Sequence, residues 1–464
     1  MSQRDGKVVS DDNTAAYKEN KMGVMPVNKL LITMSLPMVT SMLIQAMYNI
    51  VDSIFVARIS EEALSAVSLA FPVQNLLISV AVGTAVGINA LLSRSLGEGD
   101  QNRVNKTASN GIFLALVSYV VVALLGIFGS RFFFALQTDI SSIVEQGSIY
   151  LTIITAASLG IFMEVTYERL LQSTGKTFYT MLTQGLGAII NIVLDPILIF
   201  GFFGLPALGV AGAAIATVIG QLIAMCLAIH FNKTKNPEVQ LSFKGFRPDG
   251  WIIKRIYAVG IPSIVMASVA SVMTFGINKI LLGFSSTAVA VFGVYFRLQS
   301  FVLMPVFGLN NGMVPIVAYN YGAGKKDRIT ETIKLSVIYA MVIMLLGLAC
   351  FMIFAKYLLL AFDASASMLA MGVPALRIIS LSFVFAGFCI VASSVFQALG
   401  NGIISLIVSV GRQLVVLLPV AFVLSRVIGI NGVWWAFPIA EIASLALCGV
   451  FLRHVYKTKI QPLS

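Results

Sequence analysis

SLGEGDQNR at residues 95–103 and NYGAGKKDR at residues 320–328 are two versions of one loop, 225 residues apart. Each is a glycine-rich, charged turn that follows a long apolar run and ends on an arginine. Gly97, Gly99 and Arg103 match Gly322, Gly324 and Arg328. The same spacing holds outward from this pair. Pro37 matches Pro262, Gln74 matches Gln299, and Gly83 and Gly87 match Gly308 and Gly312. Further along, Gln172 and Gly175 match Gln397 and Gly400, so no net gap accumulates. Apolar coincidences are common in so greasy a chain; matched Pro, Gln, Gly and Arg are not. A duplicated hydrophobic half is the sequence signature of a transporter built from two repeats around a central site.

Composition supports a membrane reading. The 464 residues are 58% hydrophobic and 11% charged, with mean hydropathy +0.93. Soluble domains carry roughly 25% charged residues. Apolar runs of about 20 residues recur along the chain, each able to cross a hydrocarbon core. Backbone in lipid must satisfy its own hydrogen bonds, so the spans are expected to be helices. The net charge of +11 suits cytoplasmic loops of a membrane protein rather than nucleic acid. Cys226, Cys350, Cys389 and Cys448 all fall in apolar runs and read as packing residues. No cleavable signal peptide is read at the amino terminus.

Twelve spans are expected: 28–56, 63–94, 107–136, 143–172, 177–203 and 209–231, then 251–283, 288–320, 329–357, 366–398, 401–427 and 430–453. They divide the chain into a polar amino-terminal tail (1–27), taken as disordered to about residue 25, and an amino-terminal lobe (28–231). A linker (232–250), a carboxyl-terminal lobe (251–453) and a short tail (454–464) follow. Lys18, Lys21, Lys29, Arg103, Lys106, Lys325, Lys326, Arg328, Lys457, Lys459 and the basic linker share one side. The opposite loops offer only Arg58, Arg131, Lys356 and Arg426. Both termini are therefore expected in the cytoplasm, in a cell inner (plasma) membrane protein. Six spans per half makes the repeats parallel.

Ionisable groups inside spans are costly and are candidates for function. Asp52 in the first span and Asp195 in the fifth reach similar depth in the outer half. Asn191 lies one turn before Asp195 on the same face, and Pro196 frees a carbonyl near Ile192. Two acids, an amide and a loosened backbone suit Na⁺ or shared protons, since hard cations take oxygen ligands. Structural acids that cap or bridge helices are the competing reading. At the repeat spacing Asp52 faces Ile277, and the counterpart of the Asp195 region, LVVLLPVAF, holds no acid. The ion site is therefore expected in the amino-terminal lobe alone. Glu164 and Glu168 are expected to pair with Arg169 or nearby lysines. Glu441 is expected to bridge to Lys279, Arg297, Arg377 or Arg412, with substrate binding as the alternative. Pro37 and Pro262 are candidate hinges, as is Pro196.

Several stretches together resemble the multidrug and toxic compound extrusion (MATE) family. They are SLPMVTSMLIQAMYNIVDSIFVAR (35–58), SLGEGD (95–100), NIVLDPILIFGFFGLPALGVAGAAIAT (191–217) and YFRLQSF (295–301). The details are closer to its prokaryotic DinF-like branch than to the NorM-like one. The resemblance implies an all-α polytopic protein, two six-helix bundles around a V-shaped central cavity, and export driven by Na⁺ or H⁺. It places the family's ion-coupling residues on Asp52, Asn191, Asp195 and Thr217, and a cavity-lining position on Gln45. Tyr48, Arg297, Arg412 and Glu441 complete the cavity candidates. A span-7 carboxylate of the NorM kind is missing, since that region reads FGINKILLG.

The expected function is a cation-coupled antiporter that exports amphipathic, cationic small molecules by alternating access. It would act as a monomer in the lipid bilayer, with no cofactor beyond the coupling ion and no nucleic-acid partner. A flippase for lipid-linked glycans is the runner-up, with Arg297, Arg377 and Arg412 as its phosphate contacts. An intramembrane enzyme finds no support: no HExxH, no GxSxG with a partner histidine and no His/Cys cluster is present.

Overall fold

The computed structural model describes residues 19–463. All regular structure among them is helical. The first half holds α1 (Val27–Ala57), α2 (Glu61–Gly97), α3 (Gln101–Ala135), α4 (Ser141–Ala156 and Leu159–Ser173), α5 (Thr177–Phe200) and α6 (Val210–Lys235). The second holds α7 (Gly250–Leu282), α8 (Ser286–Gly322), α9 (Lys326–Leu360) and α10 (Ala366–Ser380 and Phe383–Ala398). It ends with α11 (Gly402–Ile428) and α12 (Ile430–Val455). Shifted by 225 residues, both ends of α2 fall on those of α8, and both ends of α3 on those of α9.

The repeat extends to the caps and turns. Ser60 and Ser285 precede α2 and α8 in the same extended conformation, and their hydroxyls accept from Ala63 N at 3.0 Å and Ala288 N at 3.1 Å. Each cap satisfies a helix-end donor that lipid cannot. Gly99 and Gly324 both sit at φ +72°, where a side chain would be strained. The two quoted loops are therefore the same turn.

Ten helices are long and apolar enough to span a membrane individually, and two bent pairs make up the expected twelve. The fourth and tenth spans are each broken, by 42° within α4 and 49° within α10. Ala157 and Leu381 begin short turns that interrupt the helical ladder. Neither break is marked by Pro or Gly, so the apolar pattern runs through it unaltered. In α11, Gly411–Leu417 is wound as a π-helix just before Pro419, which lacks the donor an α-helical ladder needs. Pro37 and Pro262 lie inside continuous helices.

The two halves meet where backbone approaches backbone. A Cβ on Gly87 would overlap the Ile256 carbonyl, and one on Gly83 would lie 3.0 Å from Gly260 O, so α2 crosses α7 closely. By the same logic Gly308 and Gly312 bring α8 against Val39 and Ser35 of α1. Gly97 faces the Tyr319 carbonyl and Gly322 the Arg94 carbonyl, where α2 and α8 cross near the quoted loops. Small residues are what membrane helices use for such approaches.

Residues 19–25, expected in a disordered tail, are instead packed across this same end; residues 1–18 lie outside the described structure. The Asn20 side chain caps Met22 N at 3.0 Å and donates to Thr174 O at 3.0 Å and Glu238 Oε1 at 3.2 Å. From the carboxyl-terminal half, Asn320 and Arg328 both donate to Met22 O at 3.0 Å, and Arg328 reaches Met25 O at 2.7 Å. The segment is held by both lobes, and Met22 is fully buried. Its polar composition hid this, because carbonyls rather than side chains accept most of the bonds.

Gly97→Ala and Gly322→Ala should each destabilise the protein by about 1–3 kcal/mol through overpacking. Gly129→Ala, in open space on α3, should be neutral. Thermal unfolding of the purified variants decides; equal melting temperatures for all three would remove the seam from the fold's constraints.

Candidate functional site

α5 packs against both α1 and α6, which brings together the four residues singled out for ion coupling. Asp195 is fully buried and Asn191 is 3% exposed, one turn away on the same face. The Asp52 and Asp195 carboxyls approach within hydrogen-bonding reach of each other. In the amide orientation that satisfies its neighbours, Asn191 donates to Asp195 Oδ2 at 2.7 Å. Its oxygen then accepts from the Thr217 backbone N–H at 3.0 Å and hydroxyl at 3.1 Å. Thr217 Oγ1 also lies 3.0 Å from Ala213 O, one turn back on α6.

Two tyrosines close the site. The Tyr48 hydroxyl is within hydrogen-bonding reach of Thr217 and lies beside Asp52, Tyr150 and Asp195. Tyr150, on α4, faces both acids, and its hydroxyl accepts from Gln74 Nε2 of α2 at 2.9 Å. The sequence placed Tyr48 in the substrate cavity and did not single out Tyr150; nothing in an apolar run marks one tyrosine above another. Gln74 stood out only as a repeat match.

Asp52 Oδ1 and Asp195 Oδ1 are buried without a hydrogen-bond partner. Two facing carboxylates repel unless a proton or a cation sits between them. The donor set is all oxygen apart from one amide nitrogen, which suits a proton or a hard monovalent cation. Among the described residues no group of three or more His, Cys, Asp or Glu could hold a transition metal. Pro196 follows Asp195 inside α5, which ends at Gly201 with φ +79°.

A second feature is separate from this site. A cavity of about 610 Å³ lies between the lobes. Met42, Val86, Asn89 and Arg169 line it from the amino-terminal half, and the remaining wall comes from the other half. Arg412 and Glu441 line it and form an ion pair, one of the pairings expected for Glu441. Gln299, the repeat counterpart of Gln74, lines it as well. Gln45 and Arg297 are exposed on α1 and α8 and are not among the lining residues. Neither Asp52 nor Asp195 lines it.

Glu168 differs from its expected pairing with Arg169. Its carboxylate accepts from Thr183 Oγ1 at 2.6 Å and Gln184 Nε2 at 2.7 Å. Arg169 donates instead to Gln172 Oε1 at 2.7 Å and, across the lobes, to Asn311 Oδ1 at 3.1 Å. The two side chains leave neighbouring positions on α4 in different directions, so adjacency in sequence does not pair them.

The MatE family profile matches residues 37–197 and 262–423, two windows that begin 225 residues apart. The chain belongs to the MatE family. The multidrug export protein MepA of Staphylococcus saprophyticus is 28% identical over 433 residues, covering 93% of this chain and 94% of that protein. MepA of Staphylococcus aureus is 26% identical over 436 residues, covering 94% and 95%. An outward-facing multidrug resistance MATE transporter of the MOP superfamily superposes with a TM-score of 0.89 at 26% identity, covering 96% of this chain and 98% of that one. A MOP superfamily transporter from Pyrococcus furiosus, described for the reversed polarity of its binding pocket, gives 0.88 at 26% identity, with 96% and 98% covered. The resemblance to the MATE family holds, and with it the two-repeat, twelve-span fold around a central cavity. This MatE protein is a multi-pass membrane transporter, not an enzyme.

Replacing Asn191 by Leu removes the donor to Asp195 and the acceptor for Thr217. Leaving buried polar groups unpaired should cost about 1–3 kcal/mol. Asn49→Leu, on an exposed position of α1, should change stability by less than about 0.5 kcal/mol. Thermal unfolding distinguishes the two, and equal effects would dissolve the network.

Proposed function

We propose that this MatE protein is a cation-coupled antiporter, driven by H⁺ or Na⁺, that exports amphipathic cationic drugs or metabolites by alternating access. The observation that carries the reading is the Asp52–Asp195 pair, brought together from α1 and α5 and held by Asn191, Thr217 and Tyr48. A site that needs a positive charge between two acids is a natural seat for a coupling ion. Both acids sit in one lobe, on helices free of such groups at their repeat counterparts. The names of the MepA relatives support multidrug export, and the partly apolar cavity with its Met and Phe lining suits adaptable binding.

The distribution of Lys and Arg supports a plasma-membrane orientation with both termini in the cytoplasm. The glycine seam then closes the cytoplasmic end. The protein acts as a monomer in the bilayer, with no resident cofactor and no nucleic-acid partner. Entry of H⁺ or Na⁺ from outside loads the acid pair, shifts α1 and α5, and releases substrate outward. Pro37, Pro196 and Pro262 are the positions where those helices yield. The flippase alternative loses the phosphate contacts expected for it: Arg297 is exposed, Arg377 donates to Met352 O at 3.1 Å, and Arg412 is paired, which leaves Arg169 as the cation on the cavity wall outside an ion pair.

Asp52→Asn and Asp195→Asn should each abolish gradient-driven efflux of a fluorescent organic cation from proteoliposomes, with melting temperatures near that of the parent protein. Imposing ΔpH and ΔNa⁺ separately identifies the coupling ion. Efflux at the parent rate in both variants would overturn the assignment.

A further inference from the structure

The ion pair in the carboxyl-terminal lobe is built asymmetrically. Arg412 engages only Glu441 Oε1. Glu441 is 7% exposed, yet its Oε2 is buried without a partner. Oε2 is thus a carboxylate oxygen that Arg412 does not directly engage. The Tyr295 hydroxyl, on a side chain 1% exposed, is also unpartnered and sits beside Glu441 and Arg412. Ser444, one turn after Glu441 on α12, adds a second hydroxyl, buried beside the Cys389 and Cys448 thiols. All of these residues line the central cavity.

A structural salt bridge would be expected to satisfy itself, because an orphaned buried carboxylate oxygen is expensive. This one leaves an acceptor and two hydroxyls on the cavity wall. Aromatic faces surround them: Tyr295 packs on Phe437 at 6.2 Å between ring centroids, and Phe296 and Phe437 also line the cavity. A carboxylate oxygen, hydroxyls and aromatic faces are the groups that recognise an organic ammonium. The π-helical turn Gly411–Leu417 presents both Arg412 and Gln413 to the cavity, and such turns recur at functional sites.

We propose that Glu441 Oε2, with the Tyr295 and Ser444 hydroxyls, is the subsite for the cationic group of the substrate, and that Arg412 positions Glu441 for it. This rests on the exporter reading above and adds a location to it. Substrate binds in the carboxyl-terminal lobe, while the coupling ion binds at Asp52 and Asp195 in the other lobe. The two cations therefore do not compete for one carboxylate. Ion and substrate communicate only through movement of the lobes.

The test is equilibrium binding of ethidium to the purified full-length protein, followed by fluorescence anisotropy. Glu441→Gln should weaken binding by about 10-fold or more, the effect of losing a charged hydrogen-bond partner. The exchange Glu441→Arg with Arg412→Glu keeps an ion pair but moves its open oxygen, and should weaken binding as much while folding normally. Tyr295→Phe should weaken it several-fold. Asn49→Leu, at an exposed position of α1 outside the cavity lining, should bind ethidium within about twofold of the parent. Parent-like binding by the exchanged pair would make the bridge structural and overturn the proposal. So would parent-like binding by a folded Glu441→Gln. Should neither Glu441 variant fold, parent-like binding by Tyr295→Phe overturns it. Proteoliposome efflux by the parent protein separates the two claims: absent gradient-driven efflux refutes the antiporter, whereas altered binding concerns only the subsite.

Discussion

The structure depends on one constraint, that two long helix pairs must cross with their backbones in contact. α2 passes α7 and α8 passes α1, and at each crossing a glycine occupies the space a side chain would need. Lipid offers no hydrophobic incentive for helices to associate, so the approach itself must supply the contact energy. That explains why Gly83, Gly87 and Gly97 have counterparts in Gly308, Gly312 and Gly322, whereas most apolar positions have drifted. An apolar residue facing lipid tolerates exchange for another. A glycine under a carbonyl does not.

On this symmetric frame the two lobes carry different chemistry. Asp52 stands where the other lobe has Ile277, fully buried in the core. α5 holds Asn191, Asp195 and Pro196, whereas its counterpart α11 is wound into a π-helix ahead of Pro419 and carries Arg412. Gln74 donates to a tyrosine behind the acid pair, and its partner Gln299 lines the central cavity. Duplication thus preserved the crossings and turns, while the interior-facing polar positions diverged.

This division also determines what could be read in advance. Twelve spans, the repeat and the grouping of Asp52, Asn191, Asp195 and Thr217 were legible, because each is written in spacing, charge or motif. Tyr150 was not, since its role arises from the first half of α4 packing on α2, α3 and α6, a tertiary fact. The breaks in α4 and α10 were hidden for a similar reason: they are made by short turns, Ala157–Ser158 and Leu381–Ser382, that contain no Pro or Gly. Glu168 was assigned to Arg169 by adjacency, but long side chains on neighbouring helical positions diverge. The packed segment at residues 19–25 escaped because polarity alone reads as disorder, while its bonds run through backbone carbonyls. Composition detects side chains, not the acceptors of the main chain.

α1 links these observations. Near its outer end it carries Asp52; near its inner end Ser35 and Val39 take the glycines of α8. Between them Ser41 donates to Gln184 of α5, and Gln184 in turn donates to Glu168 of α4. The next residue, Arg169, reaches across to Asn311 beside the seam. Under the proposed coupling, an ion between the two acids would draw α1 and α5 together at one end of α1. The other end of that helix, around Pro37, carries the contact with the glycines of α8. Such an ion would bias the opening of the transporter without reaching the cavity where Glu441 lies. The energy for this would be the differential affinity of the acid pair for the ion in the two arrangements of the lobes.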